Sequence, residues 1–207
     1  DLAAVDRRFG LAPEPEPQPA LVYDLPLPMT GKRAEVNEIL AEDASEHPWA
    51  NLPVIMTLTV RDALGQTAST EPLSIVLPGR RFFDPLAAAV IEMRRDLLWS
   101  RANSERADQI LRAVTNRPEG FVRSERAYLS LRVAVRRLTA ARAQGLISKS
   151  VRDDLAKALW DAAVLIEDGG LADALERMKR AQDRLSEAMK NGASKDEIAK
   201  LMDELRQ

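Results

Sequence analysis

The spacing of apolar residues changes once along this chain, near residue 80, and that change limits the fold more than any other feature. Before it, Val54, Met56, Leu58 and Val60 alternate with Ile55, Thr57, Thr59 and Arg61. Period-two alternation in a largely β-branched stretch predicts a strand. "ALGQ" supplies a turn at Gly65, and "EPLSIVLP" returns with Leu73, Ile75 and Leu77 on one face. Two such strands around a short glycine turn predict a hairpin. After residue 80 the period becomes 3.6. "FFDPLAAAVIEMRRDLLWSR" opens with Asp84 as an N-cap and Pro85 at the first helical position, and Leu86, Val90, Met93 and Leu97 form one stripe.

The helical pattern then repeats. "NSERADQILRAVTN" restarts at Asn103 or Ser104, with Ile110, Leu111 and Val114 on its apolar side, and Pro118 and Gly120 break it. "SERAYLSLRVAVRRLTAARAQG" carries Tyr128, Leu131, Val135 and Leu138 and stops at Gly145. Val151, Leu155, Leu159, Ala162 and Ile166 mark a helix expected to end at Gly169–Gly170. Leu171, Leu175, Met178, Leu185 and Met189 mark another, ending at Gly192. A last helix opens on Ser194 and Glu197, a capping-box spacing, and carries Ile198, Leu201, Met202 and Leu205. Short links make antiparallel neighbours of these six helices. "SERA" at 104–107 and 124–127 reflects shared helix-start chemistry rather than a solenoid repeat.

Ten of the twelve prolines precede residue 80. "APEPEPQP" (12–19) favours extended polyproline geometry and reads as an exposed loop. "ALVYDLPLP" (20–28) suits an edge strand, and "KRAEVNEIL" (32–40) reads as a strand. An immunoglobulin-like sandwich needs about seven strands, and three or four are legible here. The expected fold is therefore α+β: a partial immunoglobulin-like β-sandwich over residues 1–80, followed by an antiparallel multi-helix array over residues 82–207. The chain opens at Asp1 without start-like features and reads as a piece of a longer protein. No apolar run approaches the ~18 residues that span a bilayer.

Chemistry-bearing motifs are few. Without cysteine, disulfides, thiolate metal sites and a cysteine nucleophile are excluded. His47, the sole histidine, lacks the companions a zinc site needs and reads as a turn residue before Pro48, with Trp49 packing over a sheet end. Asp153–Asp154 and Asp196–Glu197 fall in first helical turns, where negative charge suits the helix dipole. Glu167–Asp168 precede the expected glycine stop. Phosphate-loop and nucleophile-elbow patterns are missing. Met93, Met178, Met189 and Met202 read as core residues. No catalytic, metal or cofactor-binding residue is assigned, and no cofactor is expected.

The overall charge of −2 conceals an uneven distribution. Residues 1–79 are net −7, residues 80–142 net +7 with fourteen arginines and no lysine, and residues 143–207 net −2. Guanidinium forks suit phosphates, so Arg94, Arg95, Arg132, Arg136 and Arg137 are candidate anion-binding residues, toward lipid headgroups or nucleic acid. Against this, Glu92, Asp96, Glu105 and Asp108 are interspersed, and Trp99, Phe121 and Tyr128 are not interleaved as stacking platforms. Pairing of the arginines with the acidic blocks on either side is the preferred reading, and nucleic acid is not an expected partner. Phe82 and Phe83 are candidates for a packed joint between the two units.

The stretch "HPWANLPVIMTLTVRDALGQTASTEPLSIVLPGRRFFDPLAAAVIEMRRDLLWSR", with "RAYLSLRVAVRRL" and "LADALERMKRAQDRLSEAM" further on, resembles a proteobacterial membrane-protein family, domain of unknown function 4175. The resemblance implies a long parent with transmembrane helices near its N-terminus and a large periplasmic region. It also implies an immunoglobulin-like segment followed by helices, on the periplasmic side of the bacterial inner membrane. It brings no activity, cofactor or catalytic residue. The expected role is a non-enzymatic structural or protein-interaction module, pairing with a protein partner or a second copy through helical faces. A membrane tether would come from parent segments outside this chain. Anionic-ligand binding through residues 80–142 is the alternative. A second alternative is a non-catalytic part of an envelope enzyme whose site lies outside this chain.

Overall fold

The computed structural model of the 207-residue chain describes residues 1–3, 12, 14–25, 39–116, 124–190, 198 and 200–202, without the side chains of residues 171, 173, 174 and 177. The strand expected over 32–40 falls mostly outside these residues. So do the break at Pro118–Gly120, the stop at Gly192, the Ser194–Glu197 capping box and Leu205.

The architecture is α+β: short antiparallel strands, then antiparallel helices. Strands β1 (Pro53–Met56) and β4 (Leu73–Val76) pair with Val54 opposite Ile75, and β2 (Thr59–Arg61) pairs with β3 (Thr67–Ser69) with Val60 opposite Ala68. Together they make one interrupted hairpin. Leu58 and Thr70 still exchange hydrogen bonds between the two ladders: the Leu58 N–H donates to Thr70 Oγ1 and the Thr70 N–H to the Leu58 carbonyl. Glu71 and Pro72 together then face Thr57, a two-against-one bulge at a residue that has no N–H to give. The turn forms where expected. Asp62 Oδ1 accepts from the Leu64 and Gln66 N–H groups, and Gly65 takes a φ of 81°. Leu2 bridges to Val54 on the other side of β1.

Val54, Ile75 and Leu77 pack with Ala44, Trp49, Leu2 and Leu21 into a small cluster. Farther out, the same face carries Met56, Leu58, Val60 and Leu73, all exposed. The 44–52 turn locks onto the strand end through Asn51, whose N–H donates to the Leu77 carbonyl (2.9 Å) from a positive φ of 61°. Gly79 lets that contact close: a Cβ there would lie 2.8 Å from Asn51 Nδ2.

Helix α1 (Pro85–Trp99) starts as its sequence dictates, with Asp84 Oδ1 accepting from the Leu86 and Ala87 N–H groups. A 3₁₀ turn (Arg101–Asn103) leads to α2 (Ser104–Val114), then α3 (Glu125–Arg142) and α4 (Lys149–Lys190). Residues 198 and 200–202 are helical. The predicted stripes meet in one core in which Leu97, Leu111, Leu131, Leu138, Leu155 and Leu159 are fully buried. Each contributes about 1.5–3 kcal/mol by leaving water.

Three expectations are corrected. Gly169–Gly170 does not stop a helix; α4 runs through it for 42 residues. Gly169 faces Ser124, and a Cβ there would sit an ordinary 3.6 Å from the Ser124 Cβ, so packing holds the helix where propensity alone would end it. Second, α4 is about 63 Å long at 1.5 Å per residue, far longer than α1 or α3. The start of α1 lies beside Glu167 and that of α3 beside Gly169, so the rest of α4 runs past both. Met93 is buried as expected, but Met178, Met189 and Met202 are exposed, as is Leu175; Ala181 is buried. Third, residues 20–25 join no ladder, and the 12–19 segment is not a free loop: Ala12 and Glu16 dock on the helices.

Candidate functional site

The arginine block is the only strong chemical signal in the sequence, and the structure shows where its charges go. Arg94, on the buried face of α1, is 6% exposed. Its Nε donates to the Ala156 carbonyl of α4 (3.0 Å) and its Nη2 to the Glu46 carbonyl of the 44–52 turn (2.6 Å). Its guanidinium also stacks 5.1 Å from the centre of the Trp160 ring. Burial lowers the Arg94 pKa, and the Glu46 charge partly offsets it. One planar fork thus ties three segments together, which a lysine point charge does less well.

Phe82 meets the same Trp160 edge-on at 5.5 Å, and the Arg80 guanidinium lies 5.2 Å over the Phe82 ring. Phe83 differs: its side chain is 82% exposed, so the aromatic packing at the joint falls to Phe82 alone. The Phe83 backbone takes part instead. Its N–H and that of Asp84 donate to the Glu167 carboxylate (2.9–3.0 Å). Next to it, Asp168 pairs with Arg80 at 2.8 Å, and the Arg80 N–H donates to Ser45 Oγ. The Glu167–Asp168 pair therefore grips the junction between strand and helix from the side of α4.

At the other end of α1, Glu16 receives the Arg101 N–H and Nε (2.8–3.0 Å) and Nη1 of Arg152 (3.3 Å). Burial alone would raise the Glu16 pKa. The hydrogen bonds from Arg101 and the charges of Arg101 and Arg152 outweigh it and hold the carboxyl below its ordinary value. Between α2 and α3, buried Asp108 accepts from Thr139 Oγ1 (2.5 Å) and from Arg142 Nη1 (2.9 Å).

The other candidate residues do not join Arg94. Arg95 is half-buried, with its Nε unpartnered among the described residues. Arg132 reaches Thr115 Oγ1 at 3.5 Å. Arg136 is exposed, and Arg137 lies a loose 3.8 Å from Asp154. His47 sits in its turn with Nδ1 accepting from the Trp49 N–H (3.1 Å) and its ring edge-on to Trp49 at 5.0 Å. Desolvation and the nearby Arg94 charge lower its pKa. Among the described residues no group of three His, Asp or Glu side chains is placed to hold a metal, and no described helix is long and apolar enough to cross a membrane.

Glu16, Asp108, Arg152, Trp160, Glu167 and Asp168 carry much of this geometry, and no motif marks them. The faint signal was the charge balance, because an arginine block flanked by acidic blocks can be neutralised across the fold. The family model of Domain of unknown function (DUF4175) matches residues 1–207, and the chain belongs to that family. No curated protein and no solved structure matches it.

Proposed function

We propose that this DUF4175 member is a non-enzymatic structural and protein-interaction module, set in the periplasmic part of a membrane-anchored parent. The anchoring and the compartment rest on the family resemblance. So does the completion of the ribbon into an immunoglobulin-like sandwich by strands beyond those described. The observation that carries the interaction role is the far half of α4. Leu175, Met178, Gln182, Leu185 and Met189 follow the 3-4-3-4 spacing of a helix-pairing seam. They lie on a helix that runs past its bundle partners, and Leu175, Met178 and Met189 are exposed. Gln182, Leu185, Ser186, Met189 and Lys190 line an open recess of ≈ 440 Å³ there. The charges nearer the core are engaged differently. Arg94 and Asp108 are bound by partners within the chain, as structural groups are.

The seam is read as the face on which a second copy pairs. Sedimentation equilibrium of the full chain tests this: association that strengthens with concentration and is lost in Met178→Glu/Met189→Glu supports it. A monomer at every concentration, or association unchanged in that variant, contradicts it.

Anion binding is the second reading, favoured by the outward positions of Arg106, Arg112, Arg126 and Arg136, which have no ion-pair partner among the described residues. Binding to anionic vesicles that weakens steeply with salt would support it.

A further inference from the structure

We propose that the groove formed by Trp99, Arg101, Asn103 and Arg152 is a binding site for a proline-bearing acidic peptide, which the chain's own Ala12 and residues 14–16 fill in cis. The inference concerns a different surface from the α4 seam and does not depend on that reading.

The contacts are those of peptide recognition. The Ala12 N–H donates to Asn103 Oδ1 (2.7 Å), and the Ala12 carbonyl accepts from the Trp99 indole N–H (3.0 Å). Four residues on, the Glu16 N–H donates to the Trp99 carbonyl (2.7 Å), and the Glu16 carboxylate enters the Arg101–Arg152 fork. Apart from that carboxylate, these contacts use only the main chain of the strap. Pro15 and Pro17 flank Glu16. They restrict the backbone before docking, which lowers the entropy lost on binding. Aromatic-lined grooves recur in the recognition of proline-rich segments.

The groove side is supported independently of its occupant. Asn103 Nδ2 donates to the Asp96 carbonyl (3.0 Å), which fixes the amide with its oxygen toward Ala12. Arg101 Nη1 donates to the Ile147 carbonyl (3.0 Å). Arg152 is tied to Asp153 Oδ1 through Nε (2.8 Å) and Nη2 (2.7 Å). A groove whose recognition groups are held by their own partners stays shaped when the strap leaves. A peptide of the same chemistry in trans then competes with the strap, which holds the advantage of a tethered ligand.

The test uses the full chain carrying Glu16→Gln and a capped synthetic peptide of residues 12–19, Ala-Pro-Glu-Pro-Glu-Pro-Gln-Pro. The Trp99 indole N–H resonance is followed by NMR. The site predicts a saturating shift of that resonance, with at least about tenfold weaker binding for the peptide whose second glutamate is glutamine, and at least about tenfold weaker binding to the wild-type chain. No saturating shift, or an equal response to both peptides, overturns the proposal. Should Glu16→Gln also displace the Trp49 and Trp160 indole signals, hydrogen exchange of the wild-type chain decides. The Ala12 and Glu16 amides are expected to exchange through an opening that leaves α1 protected; exchange only together with α1 shows the strap is core rather than ligand.

Discussion

Arg94 of α1 donates its Nε hydrogen to the carbonyl of Ala156, 62 residues away on α4, while its Nη2 holds Glu46 in the turn that carries Trp49. A buried cation normally needs a carboxylate, but here two carbonyls and the Trp160 face receive it. Arg94 thereby joins the small β-cluster directly to the helical core, beside the ties that Arg80 makes to Asp168 and Ser45. Other arginines of the block pair with carboxylates: Arg80 with Asp168 at the same junction, Arg101 with Glu16 at the strap, and Arg142 with Asp108 between α2 and α3.

The two phenylalanines at the junction should separate cleanly. Phe82→Ala removes the edge-on contact to Trp160 and part of the surface that Arg80 covers, and is expected to cost about 1.5–3 kcal/mol. Phe83→Ala removes an exposed ring and should stay within about 0.5 kcal/mol. Urea denaturation of both variants reads the difference, and equal costs would contradict the geometry.

Arg142→Met leaves Asp108 buried without its ion-pair partner, at a cost of about 2–3 kcal/mol. Asp108→Leu adds the loss of the Thr139 hydrogen bond. Because the two side chains act as a unit, the double variant should lose clearly less than the sum of the singles. A double-mutant cycle that adds up simply would show that the pair is not coupled.

Which parts of this were readable beforehand follows from range. The Asp84–Pro85 helix start, the Gly65 turn and the α1, α3 and early α4 stripes are local patterns, and they fold as local patterns dictate. Glu16 and Arg101 are 85 positions apart, and Glu167 and Phe83 are 84 apart. No spacing rule reaches that far. Prolines at 15, 17 and 19 restrict the strap's backbone but do not name its docking site. Met178 and Met189 announced an apolar face, yet amphipathic period cannot say whether the same chain covers it.

The double glycine gives a stabilising prediction. Gly169 lies inside a continuous helix with room for a methyl group against Ser124. Gly169→Ala should therefore stabilise by about 0.5–1 kcal/mol, measured by thermal unfolding at 222 nm. A helix that ended there would make the same change destabilising.

His47 sets a pH dependence. Its pKa is lowered in the fold from 6.5, so the unfolded chain binds the proton more readily. The stability His47 contributes is complete above pH 6.5 and declines as pH falls from 6.5 through its folded-state pKa. His47→Asn keeps an oxygen able to accept from the Trp49 N–H but does not titrate. Relative to wild type, its stability should rise as pH falls from 8 to 5; parallel pH profiles would mean the histidine is not the titrating group.

The central claim is that Arg94 and Arg80 hold the β-cluster to the helices, and Arg94 tests it most directly. Hydrogen–deuterium exchange of residues 41–56 is compared in wild type and Arg94→Met, a substitution that keeps apolar bulk against Trp160 but has no donors. The clamp predicts exchange at least about tenfold faster in 41–56, an opening easier by about 1.4 kcal/mol or more, while α3 keeps its wild-type protection. Unchanged protection of 41–56 in Arg94→Met would contradict the account.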